Sequence, residues 1–381
     1  MDFDLTNEQL AIQKAVREFT KGEFDRDIAI EHELKHIFPR QLLEKACQHG
    51  FICIHFPEEY GGQGYNVLEN ILVFEEFCRQ DSGFGVCLYL PTFGSELILR
   101  FGNEDQKKKF LRPLTKGKKI SAAAFTEPDG GSDITTLSTY AEKKGDGYIL
   151  NGTKTFISNG SICDYCIVLC QTDQDVRPGY KGQTLLIVEA GMEGFEATEL
   201  ENKMGIRMSS TAELNFNNVY VPPENVVGEE NRGFYHSVEF FDESRLAVAA
   251  LGLGIAQGAF DRALKYAQER KAFGKKIFEF QSIQHKLADM ATKIETARLI
   301  TYKASWNFDQ GRIDPKLTSM AKMYASKISG EVAYEAIQIF GGYGYLLENE
   351  VERFYRDARI TEIIEGTSEI QMNVISKWLT K

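Results

Sequence analysis

The chain has 381 residues, more than one hydrophobic core usually contains, so two or three domains are expected. Apolar residues make up 43% of the chain and charged residues 26%, the balance of a soluble globular protein. The formal net charge of −11 argues against a general nucleic-acid-binding protein, because such a protein needs a basic surface.

Nothing near the start of the chain predicts export. Residues 1–6 are acidic and lack the basic start and apolar core of a signal or transit peptide. The seven cysteines are scattered and odd in number, which does not favour a disulfide framework. No apolar run approaches the length of a membrane-spanning helix. We therefore expect a cytoplasmic protein.

Residues 1–117 are predicted to form an N-terminal α-helical domain. An amphipathic helix follows Thr6, whose hydroxyl is placed to cap it, and a further helix begins after Pro39. Helical spacing of apolar residues returns over residues 66–78 and 92–99.

Residues 118–228 are predicted to form a middle β domain, because the apolar period changes there. Residues 148–158 are interpreted as two strands joined by an Asn151-Gly152 turn, since Asn-Gly accepts the positive φ angles of a tight hairpin. Further strands are predicted at residues 166–170, 184–189 and 213–220. Several short strands bounded by turns favour a small antiparallel barrel or sandwich.

Residues 229–381 are predicted to form a C-terminal four-helix-bundle domain. Apolar residues there step by four and three, as in helices that pack on one another. The stepping residues are Ile283, Leu287, Met290, Ile294 and Ala297. The predicted fold class is therefore α+β, with the order helical domain, β domain, helical bundle.

Three glycine-bearing segments are candidate ligand sites, namely residues 125–133, 270–275 and 338–345. The first segment has two interpretations: a simple cluster of turns, or a loop whose free backbone N–H groups bind a phosphate or carbonyl oxygen. The second joins cations to an aromatic residue and a glycine, as in a helix C-terminus or a pyrophosphate site. The third has three glycines in four residues after a helix, more than a helix cap requires.

A fourth segment places the Glu365 carboxylate directly before Gly366 and two hydroxyl residues. The simple interpretation is a helix N-terminus capped by Thr367 or Ser368. The alternative is a buried general base beside a flat, phosphate-bearing cofactor, because glycine allows close approach to the backbone. The other three segments favour the alternative, since together they predict phosphate and adenine contacts around one carboxylate.

Two further sequence patterns are not interpreted as ligand sites. Cys163, Cys166 and Cys170 approach a metal spacing, but they belong to an apolar run without a nearby histidine, so no metal site is predicted. The glycines of residues 252–258 lie in an alanine-rich helix with no preceding strand, which does not favour a dinucleotide loop.

These motifs, in this order, resemble those of the acyl-CoA dehydrogenase family. Residues 126–133 are similar to the family's first signature, although Phe125 and Thr136 depart from the usual residue types. Residues 338–357 fit the second signature, and residues 363–371 resemble the catalytic loop. The resemblance extends from Leu5 nearly to the end of the chain. It implies the family's α–β–α fold, an FAD cofactor and an acyl-CoA thioester substrate.

The resemblance also implies roles for individual residues. Glu365 would be the catalytic base that removes the substrate's α-proton, as in the short- and medium-chain branch. FAD-binding residues would be Phe125, Thr126, Phe156, Ile157, Ser158, Arg270, Phe273, Gln281, Gln338, Gly341, Gly342, Thr367 and Glu369, some of them across a subunit boundary. Substrate-binding residues would be Ser132, Asp242, Arg245, Gly366, Tyr89 and Thr92.

Some branches of the family place the base on the helix that here carries residues 241–245. The position that they use is Ser244 in this chain, which cannot act as a base. Glu243 is adjacent, but helical geometry should turn it about 100° away. Glu365 is therefore the expected base.

The acyl pocket is expected around residues 87–96, by similarity. Tyr89, Pro91 and Phe93 are bulky, which favours a short, branched or cyclic acyl group. No arginine lies there to bind a distal carboxylate, so a glutaryl-type substrate is not favoured. Glu96 is expected to be solvated on its helix.

The resemblance implies an enzyme that forms an α,β double bond and passes electrons to an electron-transferring flavoprotein. Two alternatives stay open: an enoyl-CoA reductase that runs the reverse reaction, and a dehydrogenase of acyl groups bound to a carrier protein. A non-enzymatic, DNA-associated member of the fold would need a basic C-terminal face, which the net charge opposes. A homotetramer or homodimer is expected, because symmetry and shared cofactor contacts favour one.

Overall fold

The structure is a computed structural model and describes residues 4–379. Helices form both ends of this range and strands form its middle. The sequence predictions for residues 1–3 and for the last two residues lie outside the described residues.

The N-terminal part is helical, as predicted. Its helices are α1 Asn7–Glu23, α2 Arg26–Lys35, α3 Arg40–Gln48, α4 Val67–Gln80, α5 Ser82–Tyr89, α6 Ser95–Phe101, α7 Glu104–Gln106 and α8 Arg112–Thr115. The predicted cap is confirmed, because the Thr6 hydroxyl accepts the Gln9 N–H at 3.2 Å and the Gln9 side chain accepts the Thr6 N–H at 2.9 Å. The sequence missed α5, because this segment contains two glycines and is apolar on all sides.

The middle part contains the strands β1 Ser121–Ala124, β2 Tyr140–Lys144, β3 Gly147–Ser158, β4 Tyr165–Gln171, β5 Gln183–Glu189, β6 Phe195–Glu199, β7 Thr211–Val221 and β8 Val226–Val227. They form one eight-stranded sheet in the order β6-β7-β3-β2-β4-β5-β8, with β1 paired to β4. The pairs are antiparallel, as predicted, except that β4 pairs in parallel with β1 and with β2.

The predicted hairpin at residues 148–158 is wrong, because this segment forms the single long strand β3. Asn151 and Gly152 lie inside β3, where the register with β7 shifts. Gly152 has a φ of +136°, and a Cβ at this position would lie 2.6 Å from the Thr139 Cα. Gly152 thus permits both the register shift of the strand and the close approach of the Thr139 backbone. The turn of the hairpin lies earlier, between β2 and β3, at Gly145.

The C-terminal part is a helical bundle. Its elements are α9 Gly233–Glu269, the short hairpin of β9 Lys271–Ala272 and β10 Lys275–Lys276, α10 Gln281–Asp309, α11 Pro315–Phe340, α12 Val351–Thr361 and α13 Ser368–Leu379. The glycines of residues 252–258 lie in α9, and a Cβ at Gly252 would be 2.8 Å from the Ala325 carbonyl oxygen of α11. Their small size therefore serves close helix packing.

The helical ends and the sheet meet at two short connections. The chain changes from helix to strand between Thr115 and Ser121, and from strand to helix between Val227 and Gly233. The predicted domain boundaries at 117/118 and 228/229 fall within these connections. Helices α4 and α5 of the N-terminal part also contribute side chains to the core of the C-terminal bundle, so the two helical parts share one core.

One expectation about apolar runs needs correction. Ser82–Phe101 is long and apolar enough, by length and composition, to cross a membrane, and 78% of it is buried inside the protein. Core helices of globular proteins pass the same test, so the segment is weak evidence for a membrane span. It consists of α5, a short 3-10 turn and α6, rather than of one continuous helix.

Candidate active site

The loop between α12 and α13 has a strained backbone at the predicted base. Glu365 has a φ of +53° and Gly366 a φ of +87°. A non-glycine residue in this region costs of order 1–3 kcal/mol and persists only where its surroundings hold it. The Thr367 hydroxyl accepts the Ile370 N–H at 3.3 Å. The simple interpretation of this segment, a capped helix N-terminus, is therefore correct, and Glu365 lies just before the cap.

Three elements hold this loop. The Ser244 hydroxyl, on α9, donates a hydrogen bond to the Glu365 carboxylate. The Gln371 side-chain amide, on α13, donates to the carbonyl oxygens of Glu365 and Gly366 at 2.9 and 3.0 Å. The Lys322 ammonium, on α11, donates to the Gly366 carbonyl oxygen at 2.7 Å. The sequence did not single out Lys322 or Gln371, because they become neighbours of Glu365 only through helix packing.

Glu365 lies in an environment that suits a proton acceptor. Burial raises the pKa of its carboxyl group, while the Ser244 hydrogen bond and the charges of Arg245 and Lys322 act in the opposite direction. Burial lowers the pKa of Lys322 to about 8, against the charge of Glu365. The carboxylate is partly buried and has two cations nearby.

The two neighbouring positions on α9 that were considered for a base point in different directions. Ser244 faces Glu365, whereas the adjacent Glu243 is buried and points elsewhere. Its carboxylate pairs with the Arg100 guanidinium and lies 3.4 Å from the His55 Nε2. The turn of the helix between these two positions is the reason, as expected.

The prediction that Glu96 is solvated is wrong. Only 4% of Glu96 is exposed, because α6 lies against the sheet and α9 and has no solvent face at this position. Burial, together with the charge of Glu243, raises the pKa of Glu96 to about 7. Among residues 4–379, its Oε2 atom has no hydrogen-bond partner.

The residues expected at the flavin ring divide into two groups. Phe156 is 70% exposed and has a φ of +58°, so its ring stands free of the sheet. Thr126 and Ser158 are partly buried. Phe125 and Ile157 are buried instead, and the Phe125 ring packs edge-on against the partly buried Phe241 ring. The side chains of these two residues therefore do not face a ligand.

A buried ion pair missed by the sequence analysis supports the same loop. The Lys154 ammonium is fully buried and donates to the Phe125 carbonyl oxygen at 3.0 Å and to the Glu127 carboxylate at 2.8 Å. Glu127 also accepts the backbone N–H groups of Ser138 and Thr139, at 2.6 and 2.9 Å. Register shifts in β3 break the alternation that would otherwise have marked Lys154 as inward-facing.

A groove of about 500 Å³ joins the two segments expected to hold the pyrophosphate and adenine. It is lined by Tyr266, Arg270, Ile277, Ile339, Phe340, Gly341, Gly342, Tyr343 and Leu346. The Arg270 guanidinium lies 5.5 Å from the centroid of the Tyr343 ring. A Cβ at Gly341 or Gly342 would meet nothing within 4 Å, so this backbone is open to a ligand. A cation, an aromatic face and open backbone suit a dinucleotide phosphate and its base.

The remaining residues expected at the cofactor lie on the surface. Phe273 is 96% exposed at the tip of the β9–β10 hairpin, with a φ of +50°. Gln281 and Gln338 are exposed at the start of α10 and near the end of α11. Thr367 and Glu369 lie beside Glu365, at the N-terminus of α13.

The residues expected at the substrate, other than Gly366, lie in three places. Asp242 and Arg245 are buried on α9 and form an ion pair of 3.5 Å. The Arg245 Nε has no partner among the described residues, and burial raises the pKa of Asp242 to about 6. The Tyr89 ring stacks on another ring 4.0 Å away, and the Thr92 hydroxyl donates to the Tyr89 carbonyl oxygen at 3.0 Å. Ser132 is exposed in the loop after β1.

Within the described part of the chain, no group of three or more His, Cys, Asp or Glu side chains is arranged to hold a metal ion. Cys163, Cys166 and Cys170 are buried and unpaired. Burial raises the pKa of the Cys163 and Cys170 thiols to about 12.

A helical domain, a β domain and a helical bundle, with a partly buried glutamate before the last helix, are the arrangement expected of flavoproteins that oxidise or reduce CH–CH bonds. The chain belongs to the acyl-CoA dehydrogenase family. Its residues match the family's N-terminal domain at 6–118, the middle domain at 122–219 and the C-terminal domain at 231–380. This confirms the predicted family and fold, and it makes the protein an oxidoreductase acting on CH–CH bonds.

Three similar proteins span almost the whole chain. The short-chain specific acyl-CoA dehydrogenase of Clostridium acetobutylicum is 42% identical over 99% of each chain. The CarC subunit of the caffeyl-CoA reductase–Etf complex of Acetobacterium woodii is 42% identical over 97% of each chain. The solved structure of butyryl-CoA dehydrogenase from Megasphaera elsdenii is 41% identical, with a TM-score of 0.95 over 100% of each chain.

The family is FAD-dependent, which confirms the predicted cofactor. The residues of this chain fit the group: the groove at Arg270, Gly341 and Gly342 suits its pyrophosphate and adenine. The free ring of Phe156 suits the face of a flavin.

Proposed function

We propose that this protein is an FAD-dependent acyl-CoA dehydrogenase that introduces an α,β double bond into a short, branched or cyclic acyl-CoA, with Glu365 as the base. The observation that carries this proposal is the Glu365 carboxylate itself. It is partly buried, its pKa is raised, and a strained loop held by three elements keeps it beside Ser244.

The chemistry assigns Glu365 one task. Its carboxylate removes the α-proton beside the thioester, and its raised pKa improves the match to that proton. The backbone N–H of Glu365 is proposed to donate to the thioester oxygen, where negative charge develops. Bound FAD supplies the acceptor for the hydride that leaves the β-carbon.

The chain's own residues would bind the other parts of the two ligands. Arg245 has a buried Nε without a partner among residues 4–379, so it can donate to a ligand oxygen of the CoA arm. Asp242 and Ser132 complete the proposed CoA contacts, and Gly366 the proposed contact beside the thioester. FAD would be held by Phe125, Thr126, Phe156, Ile157, Ser158, Arg270, Phe273, Gln281, Gln338, Gly341, Gly342, Thr367 and Glu369.

The proposed size of the acyl group depends on Tyr89 and Thr92. The Tyr89 ring is fixed by stacking on Phe74, and the Thr92 hydroxyl is used by a backbone carbonyl, so neither residue moves aside freely. The names of the similar proteins, short-chain specific and butyryl-CoA dehydrogenase, agree with a short acyl group.

The reverse reaction is the second candidate, because one similar protein is a caffeyl-CoA reductase subunit. The same relative belongs to a complex with Etf, which supports an electron-transferring flavoprotein as partner in either direction. A homotetramer or homodimer is proposed, since Phe273, Gln281 and Gln338 stand on the surface of the single chain. A cytoplasmic location remains part of the proposal.

The decisive experiment is an anaerobic titration of the yellow holoprotein with acyl-CoAs of graded length, branching and ring content, followed by flavin absorbance. Short, branched or cyclic substrates should bleach the flavin. Glu365→Gln should keep the bound flavin and lose bleaching by at least about 100-fold, as expected for loss of general-base catalysis.

Two results would contradict the proposal. One is a Gln variant that is bleached at the wild-type rate. The other is a wild-type holoprotein that no acyl-CoA in the panel bleaches, while the corresponding enoyl-CoAs do not reoxidise the reduced flavin.

A further inference from the structure

A lysine without a role in the chemistry above is buried behind the active-site loop. Lys322 lies on α11 and is 0% exposed. A buried ammonium group is costly unless it is paired and hydrogen-bonded. Its ammonium group donates a hydrogen bond of 2.7 Å to the carbonyl oxygen of Gly366. The position therefore needs an explanation in terms of that loop.

The charged groups near Lys322 come from several elements. Glu365 on the loop, Glu362 after α12 and Glu369 on α13 favour its charged form, whereas Arg245 on α9 opposes it. Burial, the largest effect, lowers the pKa of Lys322 to about 8. The lysine is thus mostly protonated at neutral pH, as a positive charge close to the proposed base.

The hydrogen bond meets the backbone directly after the strained residue Glu365. Glu365 and Gly366 are two consecutive residues with positive φ, shortly before α13. The Gly366 carbonyl oxygen accepts from both Lys322 and Gln371. Releasing this oxygen would free the loop to relax towards ordinary φ angles and would move the Glu365 carboxylate.

We propose that Lys322 is a positioning residue for Glu365: it fixes the strained turn through the Gly366 carbonyl and supplies a positive charge that favours the ionised carboxylate. Lys322 does not need to touch the substrate. The inference rests on the proposed function, because it assigns Glu365 as the base. The expected consequences are a more mobile loop and a base that loses its charge at higher pH when Lys322 is neutralised.

The test compares Lys322→Met with Lys327→Met. Lys327 lies on the same helix and is exposed, with an ion pair of 3.8 Å to Glu331, so its replacement removes one charge without touching the loop. Lys322→Gln, which keeps a polar side chain, is measured in parallel in case the Met protein does not fold. The two readouts are hydrogen–deuterium exchange of the peptide containing residues 363–371, and the pH dependence of flavin reduction by an acyl-CoA.

The Lys322 variants should bind FAD and exchange this peptide at least about 10-fold faster than the Lys327 control. The acid limb of flavin reduction should move to higher pH by about one unit, because an opposite charge nearby lowers a carboxyl pKa by that order. The inference would be overturned by a Lys322 variant that binds FAD, exchanges this peptide at the wild-type rate and shows the wild-type acid limb of flavin reduction. Failure of the proposed function would look different, since the wild-type flavin would then resist every acyl-CoA, and exchange would still test the role of Lys322.

Discussion

Two buried glutamates near the proposed acyl pocket have opposite electrostatics. Glu243 pairs with Arg100 and lies near His55, and these partners hold its pKa below the ordinary value despite burial. Glu96 has an unpartnered oxygen among the described atoms, and burial raises its pKa to about 7. One carboxyl group is therefore stabilised as an anion, and the other is stabilised in its neutral form.

Glu96→Gln should stabilise the protein at pH 8. A folded-state pKa of about 7 lies above the unfolded value of roughly 4.3, so the contribution of Glu96 is present at low pH and is lost as the pH rises through 7. The unfolding free energy of Glu96→Gln relative to that of wild type should therefore increase by about 1–3 kcal/mol between pH 5 and pH 8. Urea unfolding at both values measures it. Glu243→Gln is the matched control and should destabilise the protein at pH 8, where the Glu243 carboxylate is ionised and paired. If Glu96→Gln were less stable than wild type at pH 8, Glu96 would have to be ionised and stabilised by its contacts.

The long helices α9 and α11 approach each other closely enough to exclude side chains. Gly252 on α9 faces the Ala325 carbonyl oxygen of α11, 2.8 Å from where a Cβ would lie. The same two helices carry Ser244 and Lys322, which both contact the Glu365–Gly366 turn. The separation of the two helices therefore also determines where the proposed base is held.

Gly252→Ala should destabilise the protein by about 1–3 kcal/mol, because the added methyl group must push the two helices apart. Gly330→Ala provides the comparison, since a Cβ at Gly330 on α11 would meet nothing within 4 Å. That change should be neutral or stabilising by up to about 1 kcal/mol, as for glycine replacement in a helix. Chemical denaturation of both variants measures the difference. Equal stability of the two would mean that the α9–α11 contact relaxes without cost.

The N-terminal helices are part of the same body as the C-terminal bundle. The Asp309 carboxylate, at the end of α10, accepts the N–H groups of Val67 and Leu68 at 2.9 and 3.1 Å and so caps α4. The Arg298 guanidinium of α10 pairs with Glu75 of α4 at 3.0 Å. Contacts of this kind join segments more than 200 residues apart, and they hold the helices around the proposed substrate site in one arrangement.

The most exposed large hydrophobic side chain among residues 4–379 is Phe273, at the tip of the β9–β10 hairpin. If it contacts the cofactor of a second subunit, Phe273→Ser should lower FAD retention and the assembled mass, while the unfolding of the single chain stays unchanged. Trp306→Ser, on the surface of α10, is the control for loss of an exposed aromatic ring. FAD content after gel filtration and sedimentation mass are the measurements. Full FAD retention in Phe273→Ser would remove this residue from the proposed cofactor site.

The sequence by itself determined the order of helical and β regions, the cap at Thr6 and the segment that carries Glu365. These features depend on residues a few positions apart, so apolar period, capping chemistry and motif spacing are enough to find them. The prediction of a turn at Asn151-Gly152 was wrong for the same reason, because a local signal cannot distinguish a turn from a register shift in a long strand.

Only the tertiary structure decided what surrounds the proposed base. Ser244 and Lys322 are 121 and 44 positions away from the groups that they contact on the Glu365–Gly366 turn, and the paired Lys154 and Glu127 are 27 positions apart. The burial of Glu96 was likewise decided by tertiary packing. Glu96 has an ordinary helical sequence around it, and it became a buried acid only because α6 is covered on the side where solvent was expected.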